Sequence, residues 1–173
     1  VLPFKHAAKI NYAKFMAHAM INALQDLHID ADIVMPIPLA NRRLFHRGYN
    51  QAALLARPIA NALGVPMDYD SVRRKYRPDM GHKNARERAL NIHGVFDVVR
   101  PERIRGKKIL LVDDVMTTGA TFSELRRTLA SKCTDQHCNR YFSCSIYTNP
   151  EYVIGISFVL QPCTTIRYYS RRI

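Results

Sequence analysis

The 173-residue sequence predicts an α/β protein with a mainly parallel sheet flanked by helices. Helical and strand patterns alternate along the chain, and residues 109–112, ILLV, have the unbroken aliphatic character of a central parallel strand. Hydrophobic residues make up 47% of the sequence, which is enough to form one buried core in a chain of this length. Because ligands of such folds bind at the carboxyl ends of the strands, the end of this strand is the place to look for a site.

The first half of the chain reads as helix, strand and helix. Apolar residues recur at helical spacing over residues 7–27, which predicts an amphipathic helix that covers one face of the sheet. Residues 31–39, ADIVMPIPL, predict a short buried strand that its prolines end. Residues 41–50 predict a polar, basic loop. Residues 50–64 predict a second helix, bent near its proline and stopped at its final glycine.

The second half continues the alternation with shorter elements. The patterns predict an edge strand at 65–74, a basic stretch with a helix-capping pattern at 73–91, a strand at 93–99, a turn at 100–108 and a helix at 121–132.

The formal charge of +12 indicates anionic partners: nucleic acid, phosphorylated small molecules or an acidic membrane surface, with a solvated basic surface as the alternative. No run of about 18 apolar residues exists, which predicts that nothing in the sequence spans a membrane. The opening residues, VLPFKHAAKI, lack the apolar core of a secretory signal, so we expect a cytoplasmic location.

The composition changes abruptly after Lys132, where cysteine appears and lysine vanishes. We therefore predict a core over residues 1–132 and a divergent tail over residues 133–173. Residues 141–147 alternate like a strand and residues 152–160 read as a buried one. The tail is thus expected either to supply an edge strand or to be poorly ordered.

All four cysteines lie in the last quarter of the chain: Cys133, Cys138, Cys144 and Cys163. Their absence from the first 132 residues suits a reducing compartment. The segment CTDQHC adds His137, but its spacing is not that of a paired zinc motif. We expect free or buried thiols there.

Two carboxylates, Asp113 and Asp114, directly follow the apolar strand. Such a pair suits a vicinal diol, each acid accepting a hydroxyl proton, or a divalent cation held through water. The segment MTTGAT then enters a helix, whose first N–H groups are unpaired and attract phosphate. A diol beside a phosphate ester describes a ribose 5-phosphate. A simple capped turn is the alternative, and a receiver domain would carry the acid pair without TTGAT.

This unit resembles the signature with which type I phosphoribosyltransferases bind phosphoribosyl pyrophosphate (PRPP). The segments RGYNQ, NIHGVF and LLVDDVMTTGAT narrow the resemblance to the ComF (competence protein F, GntX-like) branch, over roughly residues 1–130. The resemblance implies a Rossmann-like core that binds PRPP with Mg²⁺ and transfers the phosphoribosyl group to an unknown acceptor, releasing pyrophosphate. Many relatives begin with a cysteine-rich zinc segment, and this sequence starts beyond it. It also has Met80 where many relatives carry glutamine.

The resemblance also assigns roles to individual residues. Asp113 and Asp114 would be the catalytic pair that holds the ribose hydroxyls and Mg²⁺. The loop that would hold the 5-phosphate comprises Thr117, Thr118, Gly119, Ala120 and Thr121. The candidates for the pyrophosphate are Arg42, Arg43, Arg74, Arg77, Lys83 and Arg88, of which the last four belong to a stretch matching a mobile loop.

A second hypothesis is a non-catalytic module of the same fold that binds single-stranded DNA or a nucleotide, and a third is an inactive relative with a degenerate terminus. Aromatic residues interleaved with the arginines keep the DNA hypothesis open: Phe45, Tyr49 and Tyr76.

Three residues at the start of the second helix, Arg47, Asn50 and Gln51, would contact pyrophosphate or a partner, or Asn50 would simply cap the helix. His82 and His93 are interpreted as loop and turn residues.

Overall fold

The computed structural model describes residues 10–26, 31–77, 92–116, 119–132 and 153–159. Its elements in chain order are α1 (Ile10–Asp26), β1 (Ile33–Pro36), α2 (Asn41–Arg47), α3 (Gln51–Leu63), β2 (Val72–Arg74), β3 (Phe96–Val98), β4 (Ile109–Met116), α4 (Ala120–Lys132) and β5 (Val153–Val159). A short 3-10 helix, Pro101–Arg103, lies between β3 and β4.

A parallel sheet in the order β1-β4-β5 forms the centre of the fold, which confirms the predicted α/β class. Strand β4 is its middle strand, as its unbroken aliphatic run predicted. Strands β2 and β3 pair antiparallel with each other as a separate ribbon. Strand β5 lies in the predicted tail, although the division of the chain at residue 132 stays a prediction.

Side-chain alternation along β4 divides the core between the two faces of the sheet. Leu110 and Val112 pack with residues of α1 and α3 on one face. Ile109 and Leu111 pack on the other face with α4 and the β2–β3 ribbon, where Phe122 is one of the largest fully buried side chains. Helix α4, which leaves the end of β4, is thereby held against one face of the sheet.

Helix α3 begins and ends where the sequence predicted. Asn50 is its N-cap, and the side chain accepts a hydrogen bond from the N–H of Ala52 at 3.1 Å. The helix continues past Pro58, and Gly64 ends it in the left-handed conformation with φ of 67°.

The predicted loop at residues 41–50 is wrong over most of its length, because residues 41–47 form α2. Arginine and leucine favour helix, and Gly48 ends this helix with φ of 74° and an N–H bond to the carbonyl of Leu44. The basic composition that suggested a loop is instead the exposed surface of a short helix.

Other strand limits also differ from those predicted. The edge strand expected at residues 65–74 is reduced to the three residues of β2, preceded by a single bridge from Met67 to Val34. Asp68 turns the chain between them, because its carboxylate accepts the N–H groups of Asp70 and Ser71 at 2.9 Å.

The capping pattern of the basic stretch, the strand predicted at 141–147 and all four cysteines lie outside the described residues. Within the described ranges, no helix is both long and apolar enough to cross a bilayer.

Candidate functional site

The two aspartates lie within β4, not after it, because the strand continues to Met116. The pairing with β5 runs from Val112↔Ile156 to Val115↔Phe158, so Asp113 and Asp114 stand opposite a single residue of the partner strand. This is a β-bulge, a local distortion that changes where side chains point. The expectation that the chain leaves the sheet at the aspartates is therefore wrong.

Both carboxyl groups of the pair are withdrawn from bulk water. Asp113 and Asp114 are half-buried, and the Asp113 carboxylate accepts the N–H of Asp114 at 2.9 Å. Burial raises the pKa of Asp113 well above its ordinary value, and the neighbouring charge of Asp114 raises it further. The charge of Arg74 opposes this rise without cancelling it.

Asp114 carries the unsatisfied group of the site. Its Oδ2 atom is buried, and within the described part of the chain it receives no hydrogen bond. A buried acceptor without a donor costs about 1–3 kcal/mol, so such atoms in native proteins call for an explanation. A ligand hydroxyl group or a metal-bound water would supply the missing donor.

The predicted phosphate loop is described only in its second half. Gly119 has a φ of 72°, a conformation that favours glycine, and its carbonyl accepts the N–H of Ser123. Ala120 and Thr121 are half-buried in the first turn of α4. The structure thus brings the start of this helix directly after the aspartate strand, while Thr117 and Thr118 lie outside the described residues.

The candidate arginines lie on three different segments. Arg74 ends β2, and its guanidinium lies 5.4 Å from the centre of the Phe96 ring. Arg42 on α2 lies over the ring of Tyr76 at 5.0 Å, so α2 approaches the segment that follows β2.

Arg43 is half-buried on α2, and Arg77 is exposed, with its guanidinium near Gly94. Lys83, Arg88 and the other members of the basic stretch from 78 to 91 lie outside the described residues. Among the proposed cations that the structure describes, Arg74 is the one whose charge acts on Asp113.

The exit of β1 is held beside the aspartates. The N–H of Ile37 donates to the carbonyl of Val112 at 2.8 Å, and the carbonyl of Ile37 accepts from the side chain of Asn50 at 3.0 Å. Asn50 is therefore a cap and a structural tie, as one interpretation of RGYNQ predicted. Gln51 is buried at the start of α3, which places it in the interior.

Glu124 is a buried charged residue that sequence reasoning missed. Its carboxylate accepts the N–H of Gly94 at 2.6 Å and two bonds from Arg127, at 2.8 and 2.9 Å. Glu124 thereby ties α4 to the turn of NIHGVF, where Gly94 has a φ of 69° and His93 is an exposed turn residue. The i, i+3 spacing of the acid and Arg127 was the available signal, but it did not reveal the distant Gly94.

We expect Glu124→Gln to lower the free energy of unfolding by about 1 kcal/mol at neutral pH. The bonds from Arg127 lower the pKa of Glu124, burial opposes them, and the N–H of Gly94 lowers the pKa further. The pKa of Glu124 is therefore lower in the folded protein than in the unfolded one. The stability that its carboxylate contributes is present above the unfolded pKa and is lost as pH falls through the folded pKa. Urea denaturation across this pH range measures it.

The matched control is Glu102→Gln, at an exposed carboxylate of the 3-10 helix. We expect it to change the unfolding free energy by at most about 0.5 kcal/mol. Equal losses in the two variants would show that the negative charge of Glu124 does not stabilise the fold.

Comparison with known proteins shows which families this chain resembles. Residues 50–133 match the phosphoribosyl transferase domain. The chain is 35% identical over 99 residues to the DNA utilization protein YhgH of Salmonella typhi and 35% identical over 100 residues to competence protein ComFC of Bacillus subtilis. The chain is similar to ComF-like members of the type I phosphoribosyltransferase family.

The matches cover only part of each curated relative of this ComF-like chain. The alignment to YhgH covers 57% of this chain and 43% of the relative, and the alignment to ComFC covers 58% and 39%. Among solved structures, the alignment to the purine phosphoribosyltransferase from Pyrococcus horikoshii covers 87% of this chain and 86% of that enzyme's chain. The two are 14% identical, with a TM-score of 0.42. That likeness is too distant to bear on the site.

Proposed function

We propose that this chain binds PRPP with Mg²⁺ at the carboxyl end of β4 and transfers the phosphoribosyl group to an acceptor with release of pyrophosphate. The observation that carries the proposal is the buried Oδ2 of Asp114, which lacks a donor in the described structure and lies beside a second carboxyl of raised pKa. The two hydroxyl groups of a ribose are donors of the right number for such a pair.

The residues present fit a magnesium ion. Carboxylate oxygens are the ligands that this hard cation prefers, and it keeps several of its waters, which are themselves donors. Asp113 and Asp114 would hold it, directly or through those waters. When bound, it would spread the negative charge that develops on the departing diphosphate.

The protein's own groups account for the rest of the proposed mechanism. The aspartates hold the ribose by its hydroxyl groups and orient C1 towards the acceptor. The first turn of α4 would present backbone N–H groups to the 5-phosphate. Arg74, whose charge acts on Asp113, would stabilise the leaving diphosphate.

Calorimetric titration of PRPP and Mg²⁺ into the 173-residue chain tests this proposal. Saturable binding near one site per chain is expected, and it should weaken when a chelator removes the metal. Pyrophosphate release in the presence of a candidate acceptor would then demonstrate the transfer. Absence of PRPP binding would remove the transferase proposal.

Single-stranded DNA binding is the second candidate, because α2 presents an aromatic ring among basic residues. Phe45 is 88% exposed, and Arg42, Arg43 and Arg47 lie on the same helix. Exposed rings among cations are the usual platform for stacking bases along a single strand. One of the curated relatives is named a DNA utilization protein and another a competence protein.

If this surface binds DNA, Phe45→Ala should weaken oligothymidine binding by on the order of tenfold, since stacking is worth about 1–3 kcal/mol per base. Fluorescence anisotropy with a labelled oligonucleotide measures this, and affinity should fall steeply with added salt. Phe15→Ala is the matched control, because Phe15 on α1 is 74% exposed. Similar affinities of the two variants would contradict the DNA hypothesis.

A further inference from the structure

A cavity of about 670 Å³ lies beside the exit of β1 and is separate from the aspartate pair. Its walls come from the end of β1 and the segment after it, from α2 and α3 with the turn between them, and from β2 with the chain that leads into it. No residue of β4 or α4 lines it. Its volume is within the range of about 300–1,000 Å³ that is typical of sites for small molecules.

The charged groups in the walls favour an anion. Arg57, Arg73 and Arg74 line the cavity, and Asp70 is the carboxylate among its lining residues. That carboxylate pairs with Arg100 at 3.0 Å and lies 3.9 Å from Arg103. Asp70 is therefore balanced by arginines outside the cavity, which leaves the positive charges of Arg57 and Arg73 in excess.

The position of Arg57 is set by a tyrosine. Its Nη2 atom donates a hydrogen bond to the hydroxyl of Tyr69 at 3.2 Å, and both residues line the cavity. An oriented guanidinium has a fork of donors that suits a carboxylate or a phosphate. Arg57 projects from α3 and Arg73 from β2, so the two cations are held by different rigid elements.

Apart from Asn41 and Asn50, the rest of the described wall is apolar and aromatic. Tyr49 and Tyr69 supply rings, while Leu44 and Leu54 supply aliphatic surface, and three prolines complete this part of the lining. Aromatic rings and flat aliphatic surfaces pack well against a planar ring. A fully polar anion, such as inorganic phosphate, would leave this surface uncovered.

We propose that this cavity binds a small planar aromatic anion, with its ring among Tyr49, Leu44 and Leu54 and its negative group at Arg57 and Arg73. A nucleoside monophosphate and an aromatic carboxylate share this chemistry. The proposal does not depend on PRPP binding, because the residues considered for PRPP that line the cavity are Arg74 and Asn50, and neither is used to hold the anion.

A tryptophan reporter makes the test specific, because the sequence contains no tryptophan. Leu44 lines the cavity and is 39% exposed, so Leu44→Trp places one fluorophore at its rim with little demand on the core. Adenosine 5′-monophosphate and 4-hydroxybenzoate are titrated into this variant, with adenosine as the uncharged counterpart. We expect a saturable change in fluorescence with each anion that fits, and a weaker response to adenosine.

Arginine-to-glutamine variants complete the test. They are made in the Leu44→Trp protein, where fluorescence reports binding, and in the unaltered chain, where calorimetry reports it. Arg57→Gln and Arg73→Gln should each weaken binding by on the order of tenfold, the equivalent of losing one charge-assisted bond. Arg126→Gln, at an exposed arginine of α4, should leave the affinity unchanged. Circular dichroism establishes that every variant is folded.

The outcomes separate the two ligand classes and the two sites. Tighter binding of the monophosphate would identify a nucleotide site, and tighter binding of 4-hydroxybenzoate an aromatic carboxylate site; either supports the proposal. Absence of binding by both anions at millimolar concentration would overturn it. Binding that Asp113→Asn/Asp114→Asn abolishes and Arg57→Gln leaves intact would also overturn it, because the anion would then occupy the aspartate site.

Discussion

The double substitution Asp113→Asn/Asp114→Asn is expected to reduce PRPP binding by at least about 100-fold. Two charge-assisted hydrogen bonds would be lost, each worth about 1.5–3 kcal/mol, and about 2.7 kcal/mol corresponds to this factor. The amide side chains also remove the charge that would hold Mg²⁺. Calorimetry with Mg²⁺ present compares the variant with the wild type under the same conditions.

Asp97→Asn is the control for this comparison. Asp97 lies on β3, and its carboxylate pairs at the surface with Lys75 at 3.0 Å. Its loss removes the same charge at a place where no ligand is proposed, so PRPP affinity should stay within about twofold. Undiminished binding by the double variant would rule out the aspartate pair as the ribose site, whatever else the chain binds.

The single substitution Asp113→Asn is expected to stabilise the ligand-free protein, raising its free energy of unfolding at neutral pH. The wild-type carboxyl is disfavoured in its charged form by burial and by the neighbouring Asp114. Asparagine has nearly the same shape, carries no charge, and retains an oxygen that can accept the N–H of Asp114.

The stability gained by Asp113→Asn should increase with pH. The pKa of Asp113 is raised in the folded state, so the folded chain binds more protons than the unfolded chain between the two pKa values. The wild type therefore loses stability as pH rises from the unfolded pKa through the folded one. The advantage of Asp113→Asn should be small in acid and reach a plateau at alkaline pH.

Urea denaturation of both proteins in the presence of a chelator, from acidic to mildly alkaline pH, measures this difference. Asp97→Asn again serves as the control, with an expected loss of about 0–1 kcal/mol from its exposed ion pair. A destabilised Asp113→Asn variant at alkaline pH would show that a cation compensates the charge of Asp113 in the folded chain, contrary to the raised pKa.

The aspartate pair is therefore expected to lower the stability of the ligand-free protein. Carboxylates held close to each other, one with an unsatisfied buried oxygen, are unfavourable until a ligand supplies donors or positive charge. Sites of this kind are where stability and function conflict most directly.

The candidate site could be predicted from the sequence in part. The acids that follow ILLV and the helix that begins at TTGAT are local patterns. The structure places the acids within the central strand, near its carboxyl end, and begins the helix at Ala120, shortly after that strand. The roles of Arg42, Arg43, Arg74 and Arg77 could not be separated, because they share one residue type and similar sequence surroundings. Only the fold puts the charge of Arg74 on Asp113.

Three features could not be predicted because each depends on contacts between segments that are far apart in the sequence. The bulge at Asp113 depends on the register with β5, far along the chain. The bond from Gly94 to Glu124 joins segments thirty residues apart. The cavity beside Arg57 exists because α2 and α3 pack against the chain that enters β2.

The sequence by itself determined the helices α1 and α3, the central strand, the capping role of Asn50 and the α/β class, because periodicity and capping depend on residues that are near one another along the chain. The tertiary structure alone decided that the acid pair lies in a bulge, that Arg74 acts on it and that a second cavity stands beside it. Burial and charge interactions depend on which distant segments meet, and no local pattern encodes that.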